Sequence, residues 1–131
     1  MNRTHAAQIA ALLNARNRLV RAYYADSIIK RSGSFIYELK DDLVIAGVEL
    51  KNVQLYQWEV QHLAVAEAYE RHGYGMLMLR LAEERATKAG AKILQCTIRL
   101  GNDASEHLFE KVGYRRACLF HNPQSGNDVG V

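Results

Sequence analysis

The 131 residues include one proline, two cysteines and one tryptophan, and each scarcity closes off a class of protein. A lone proline, Pro123, leaves no proline-rich linker, and no low-complexity tract or internal repeat divides the chain. Cys96 and Cys118 are too few for a disulfide framework, and each falls in a predicted strand, where a buried free thiol is the usual occupant. No apolar run approaches the ~20 residues that span a bilayer. The opening Met1-Asn2-Arg3-Thr4-His5 leads into Asn14, Arg16, Asn17 and Arg18 rather than an apolar leader core. These absences imply a cytoplasmic protein with no membrane partner. His5, His62, His72, His107 and His121 show no metal-ligand spacing, and there is no Cys-x-x-Cys, so no metal is expected. What is present, 49% hydrophobic and 24% charged residues, suffices for one domain over residues 1–131 without staples.

The net charge of +3 is unevenly spread. Residues 1–33 carry six basic groups and one acidic, residues 34–70 two and seven, and residues 71–131 nine and six. The first segment, with Arg3, Arg16, Arg18, Arg21, Lys30 and Arg31, reads as a solvated helix face or as a surface for a polyanion. The acidic middle favours a cationic acceptor such as an amine.

Apolar positions Ile9, Leu12, Leu13, Val20, Tyr23, Tyr24 and Ile28 follow a helical period from an N-cap at Thr4 to a stop at Ser32-Gly33, with Asn14 to Asn17 as a break between two helices. Phe35 to Leu39 and Leu43 to Leu50 flank the polar Lys40-Asp41-Asp42 turn as a β-hairpin. A third strand is expected from Leu55 to Val65. Met76, Leu77, Leu79, Ala82 and Ala86 then mark a helix ending at Gly90. Ile93 to Leu100 reads as a strand, Ala104 to Val112 as a helix capped by Asn102 or Asp103, Tyr114 to Phe120 as a strand, and Asp128 to Val131 as a short last one. A strand–helix–strand unit among antiparallel neighbours implies a mixed sheet of the α/β (α+β) class.

Between the third strand and its helix lies Glu70-Arg71-His72-Gly73-Tyr74-Gly75-Met76. The first amides of a helix have no internal partners and carry the positive end of its dipole, and glycine lets a ligand approach the backbone. That combination suits phosphate. It is neither a P-loop, which needs Gly-Lys-Ser/Thr, nor a dinucleotide fingerprint, because Met78 stands where a third small residue is required.

The run Trp58-Glu59-Val60-Gln61-His62-Leu63-Ala64-Val65 through Gly75 resembles the acetyl-CoA-binding core of the GCN5-related N-acetyltransferases, and Asn102 through Leu108-Phe109-Glu110-Lys111-Val112-Gly113-Tyr114 resembles that family's second motif. The resemblance covers residues 35–120 well and the first helices in outline. It implies a mixed, mostly antiparallel β-sheet flanked by helices with the family's first strand missing. Residues 1–33 would form a helical acceptor-side segment, 54–90 the coenzyme-binding core and 93–120 the second motif. It further implies acetyl-CoA as cosubstrate, its pyrophosphate on the amides of Arg71, His72, Gly73, Tyr74, Gly75 and Met76. The pantetheine arm would lie along Leu63, Ala64 and Val65, with the Val65 amide polarising the thioester carbonyl. Asn102 matches a pantetheine contact, or is only a helix cap.

Glu59 matches the general base of many members, or is a strand glutamate paired with a cation. His62 is the runner-up base, expected by strand alternation on the opposite face. Two positions depart from the family pattern. Glu70 replaces Gln or Arg at the start of the loop and must turn away from phosphate. Phe109 replaces a tyrosine that protonates the departing thiolate, and can only pack against the thiol end. Tyr74 and Tyr114 are substitutes that spacing does not separate. Tyr23-Tyr24 either line the acceptor pocket or pack in the core. The expected activity is acetyl transfer to a primary amine, and a homodimer would cover the sheet edge left by the missing strand. The alternatives are a non-catalytic acyl-CoA sensor and an acetyltransferase acting on tRNA-linked or other nucleic-acid-associated substrates, although nucleic acid itself is not the expected partner.

Overall fold

The helical period at the start of the chain resolves into two helices, α1 (Arg3–Arg16) and α2 (Ala25–Lys30). The cap of α1 is Asn2 and not Thr4: the Asn2 side chain accepts from the His5 amide at 2.7 Å, two residues earlier than expected. Tyr23 precedes α2 and Tyr24 is its N-cap, so neither belongs to a helix body. The computed structural model describes residues 1–17, 19, 21–99, 103–116, 119–122 and 127–131. The expectations for Asn102 and Cys118 fall outside them.

The hairpin is present as β1 (Phe35–Lys40) and β2 (Leu43–Gln54), paired antiparallel around Asp41-Asp42, both at positive φ. β2 is buried from Val44 to Leu50 because helices cover both of its faces. The third strand, β3 (Gln57–Val65), begins two residues later than expected, since Leu55-Tyr56 forms the turn and Tyr56 sits at φ 67°. After it come α3 (Tyr74–Lys88), β4 (Ile93–Gln95), β5 (Ile98–Arg99), α4 (Asp103–Lys111), β6 (Leu119–Asn122) and β7 (Asn127–Gly130).

Two strand expectations change. The single strand expected over 93–100 is two short ones. β4 pairs parallel with β3, β5 pairs antiparallel with β7, and Cys96 lies at the break, outside either strand. Tyr114 to Arg116 carry no strand pairing, and the next strand starts at Leu119. The sheets run β1-β2-β3-β4 and β5-β7-β6. Mixed, mostly antiparallel pairing flanked by helices is therefore the architecture, with α1 its first element and β1 at an edge.

Two apolar clusters sit on opposite faces of the first sheet. On one, Ala46, Val48, Leu50 and Val60 meet Met78, Leu79 and Ala82 of α3 and Phe109 of α4. On the other, Phe35, Val44 and Ala64 meet Ile9 and Leu13 of α1, Ile28 of α2 and Tyr23. Burial of these side chains is the main force fixing the helices to the sheet, worth about 1.5–3 kcal/mol for each large one. Among the described residues, no helix is long and apolar enough to cross a membrane.

Candidate active site

A slot opens where β4 leaves β3. The parallel pairing covers only Gln57–Glu59 against Ile93–Gln95, so the outer edge of β3 beyond Glu59 has no strand partner among the described residues. Ala66 donates its amide to Ile45 of β2 at 2.8 Å. Backbone direction alternates along an extended chain, so the Val65 amide, one residue earlier, faces the open edge. This is the position expected for Leu63, Ala64 and Val65 as a backbone ladder for an extended arm.

The same strand leads into the glycine loop. Gly73 is the N-cap of α3 at φ 85°, and no side chain caps that helix. Arg71 also takes positive φ, 64°, in an exposed turn with His72. The first-turn amides of α3 at Tyr74, Gly75 and Met76 thus lack a side-chain cap, an arrangement that suits an anion. Gly75 is small for a reason beyond ligand access. A Cβ there would lie 2.9 Å from a Leu108 methyl, so this glycine permits α4 to pack against α3. Glu70 does turn away: its carboxylate is held by Arg16 at the end of α1.

Glu59 is half-buried and accepts from Gln95 Nε2 at 3.3 Å. The expectation that His62 faces the opposite side of the sheet is wrong, and a bulge explains it. The β2–β3 register shifts between Gly47 and Glu49, and His62 lies in the bulge at φ 53°. Before the bulge Trp58 and Val60 pack on the α3 side; after it Leu63 and Val65 do, while Ala64 joins the α1–α2 cluster. The extra residue reverses the alternation, which places Glu59 and His62 on the same face.

That face contains a polar chain that runs from the buried Glu49 and Tyr23 to His62, an exposed residue. The Tyr23 hydroxyl donates to Glu49 Oε1 at 2.7 Å and lies 2.5 Å from His62 Nδ1. The other Glu49 oxygen takes Arg31, and Glu49 is only 2% exposed. Burial, reinforced by the Glu49 carboxylate, pushes the Tyr23 hydroxyl far above its ordinary pKa. Burial lowers the His62 pKa, outweighing the opposing pull of Glu49 and Glu59. Glu49 and Arg31 were not foreseen as site residues. The one sequence signal was an acid within an otherwise apolar strand, Val48-Glu49-Leu50, and nothing local names its partners.

Phe109 is 6% exposed, edge-on to Tyr114 at 4.9 Å in the α3-side core. The Tyr114 hydroxyl is buried with no hydrogen-bond partner among the described residues, and burial raises its pKa. Tyr74 packs edge-on against Tyr69. Among the described residues of the first segment, Arg3 pairs with Asp26, Arg16 with Glu70 and Arg31 with Glu49, so these cations are already engaged within the chain. No cluster of three metal-binding side chains occurs among the described residues.

A strand pair that parts beyond Glu59 thus leads into a glycine-led helix with no side-chain cap. The profile of the acetyltransferase (GNAT) family matches residues 4–114. The chain belongs to this family. Solved acetyltransferases share its fold. The ribosomal-protein-S18-alanine N-acetyltransferase of Escherichia coli is 18% identical with a TM-score of 0.76, over 99% of this chain and 86% of that one. The ribosomal-protein-alanine N-acetyltransferase of Brucella melitensis is 14% identical with a TM-score of 0.83, over 99% and 93%. A GNAT acetyltransferase from Elizabethkingia anophelis, solved with acetyl-CoA bound, is 17% identical with a TM-score of 0.76, over 92% and 85%. No curated protein matches this acetyltransferase by sequence.

Proposed function

We propose that this acetyltransferase moves an acetyl group from acetyl-CoA to a primary amine by direct attack within a ternary complex. The observation that carries the reading is the edge of β3, without a strand partner among the described residues, running into the uncapped start of α3. One supplies backbone groups for an extended amide-bearing arm, and the other supplies amides for a diphosphate. In this reading Leu63, Ala64 and Val65 hold the pantetheine, and Arg71, His72, Gly73, Tyr74, Gly75 and Met76 hold the pyrophosphate. The Val65 amide polarises the acyl carbonyl. Phe109 contributes apolar packing and no proton. Asn102 is carried as a pantetheine contact by the family pattern alone.

Glu59 is the general base that turns the acceptor ammonium into a nucleophile. It lies on the sheet face opposite α3, half-buried, at the last β3 residue paired with β4 before the slot opens. The Escherichia coli and Brucella melitensis proteins are named for alanine of ribosomal proteins, so a peptide N-terminus is among the acceptors to be tried. A cytoplasmic location belongs to the same proposal, suggested by the absence of a disulfide framework.

The test has two arms. Saturating acetyl-CoA is expected to raise Tm by several degrees, since binding at 100 times Kd stabilises a protein by about 2.7 kcal/mol. Free-thiol release with spermidine, a lysine peptide and an alanine-initiated peptide is expected to occur, and to fall about 10²-fold or more in kcat in Glu59→Gln. An unmoved Tm removes the acyl donor. Undiminished activity in the variant removes Glu59 as base. A clear Tm shift without transfer to any amine favours a non-catalytic acyl-CoA sensor, which the core-buried Phe109 already suits.

A further inference from the structure

We propose that His62 is a second catalytic residue, a proton shuttle that takes the proton shed by the attacking nitrogen and returns it to the departing coenzyme thiolate, with Tyr23 and Glu49 as its positioning residues. The inference deepens the acetyl-transfer reading and rests on it.

The chemistry leaves a gap that Glu59 alone does not fill. An ammonium loses one proton before attack and a second once the C–N bond has formed. Glu59 takes the first. When the C–S bond breaks, the thiolate gains a proton, and the position from which the family pattern would supply it is Phe109, which has none to give. An imidazole that accepts the second proton at Nε2 and passes it to sulfur balances the step. The C–N bond forms, the C–S bond breaks, one proton moves from nitrogen to sulfur, and His62 ends as it began.

The geometry fits such a group. His62 occupies the bulge directly before Leu63, Ala64 and Val65, the stretch whose edge is open. Its φ of 53° is one that glycine adopts without strain and other residues adopt at a cost, which points to a side chain retained for what it does. Tyr23 donates its hydroxyl proton to Glu49, so its oxygen is left to accept from His62 Nδ1–H. That fixes the tautomer with Nε2 unprotonated, and no described residue bonds Nε2. Glu49 is in turn fixed by Arg31. The groups facing His62 are therefore Tyr23 from the loop before α2, Glu49 of β2 with Arg31 behind it, and Glu59 of its own strand. Partial burial of the ring shifts it toward the neutral form, which can accept a proton.

The variant of choice is His62→Gly, which removes the imidazole while accepting the backbone conformation. Nitrogen-15 NMR of the ligand-free wild type at pH 7 is expected to show a neutral His62 ring protonated at Nδ1, and Tyr23→Phe to lose that preference. With acetyl-CoA and the amines above, His62→Gly is expected to lower kcat by about 10²-fold with the KM for acetyl-CoA within about twofold, and added imidazole to restore part of the loss. A ring protonated at Nε2, or a glycine variant as active as wild type, overturns the shuttle alone. A wild type that acetylates no amine overturns the transfer reading and the shuttle with it.

Discussion

Gly73 bears at once on stability and on the proposed coenzyme site. At φ 85° it turns the chain from the loop into α3, and it leaves the first amides of the helix pointing outward with no side-chain cap over them. Nothing lies within 4 Å of where its Cβ would be, so the cost of a side chain there is conformational and not steric crowding. Gly73→Ala is expected to lose about 1–2 kcal/mol of stability from the left-handed backbone. The altered entry to the helix tilts those amides, so affinity for coenzyme A should fall as well. Urea unfolding reads the first effect and calorimetry with coenzyme A the second. An alanine variant with wild-type affinity would separate the turn from the proposed coenzyme site. Glu70 teaches the converse at the same scale. Its sequence position looked hostile to phosphate, but its charge is taken by Arg16 of α1, 54 residues away in the chain. No local pattern could have announced that pairing.

At the scale of elements, the period of α3 was legible because it buries a face that its own spacing declares, and the β1–β2 hairpin because two apolar runs flank the polar Lys40-Asp41-Asp42 turn. The glycine loop was legible for the same reason, since a strand gives way to a helix across two glycines. The bulge in β3 was not. It is set by pairing with β2, and reading two-residue alternation straight through it put His62 on the wrong face. The division of residues 93–99 between two sheets was equally hidden, because the divergence of β4 from β3 is a tertiary event that leaves the apolar run unbroken. Gly75 joins two elements and lends itself to measurement. Its missing Cβ faces the flexible tip of Leu108, which can yield by a few tenths of an ångström. Gly75→Ala should therefore cost little, the crowding offset by a gain of up to about 1 kcal/mol in helix propensity. Gly75→Val adds branched bulk that the Leu108 tip cannot clear, and is expected to lose about 1–3 kcal/mol as α4 is pushed from α3. Equal stability of the two variants in urea would show that α4 docks elsewhere.

The whole molecule places ionisable groups in the cores on both sides of its sheet, and its stability should depend on pH accordingly. Tyr23 lies in the α1–α2 cluster, while Cys96 and Tyr114 belong to the α3–α4 side. Burial pushes the Cys96 thiol up from 9.0 to about 12, and raises both tyrosine hydroxyls above their ordinary value of 10.0. A raised pKa means that the folded state holds a proton the unfolded chain releases. Stability from these groups is fully present below about pH 9 and is lost as pH climbs from there toward the folded values. Each group contributes a slope of at most about 1.4 kcal/mol per pH unit within its own window. On the acid side the sign reverses for His62, whose pKa is lowered on folding. Below its ordinary value of 6.5 the unfolded chain takes up a proton that the folded one refuses, so stability falls with pH there too. Tm is therefore expected to hold a plateau between about pH 6.5 and 9 and to drop on either side. Cys96→Ala and Tyr114→Phe should each flatten the alkaline limb without moving the acid one, and His62→Gly should do the opposite. An alkaline limb that keeps its slope in both core variants would mean that these groups titrate alike in the folded and unfolded chains. The fall would then come from Tyr23 or from charge repulsion across the surface, and only the repulsion would be suppressed by added salt.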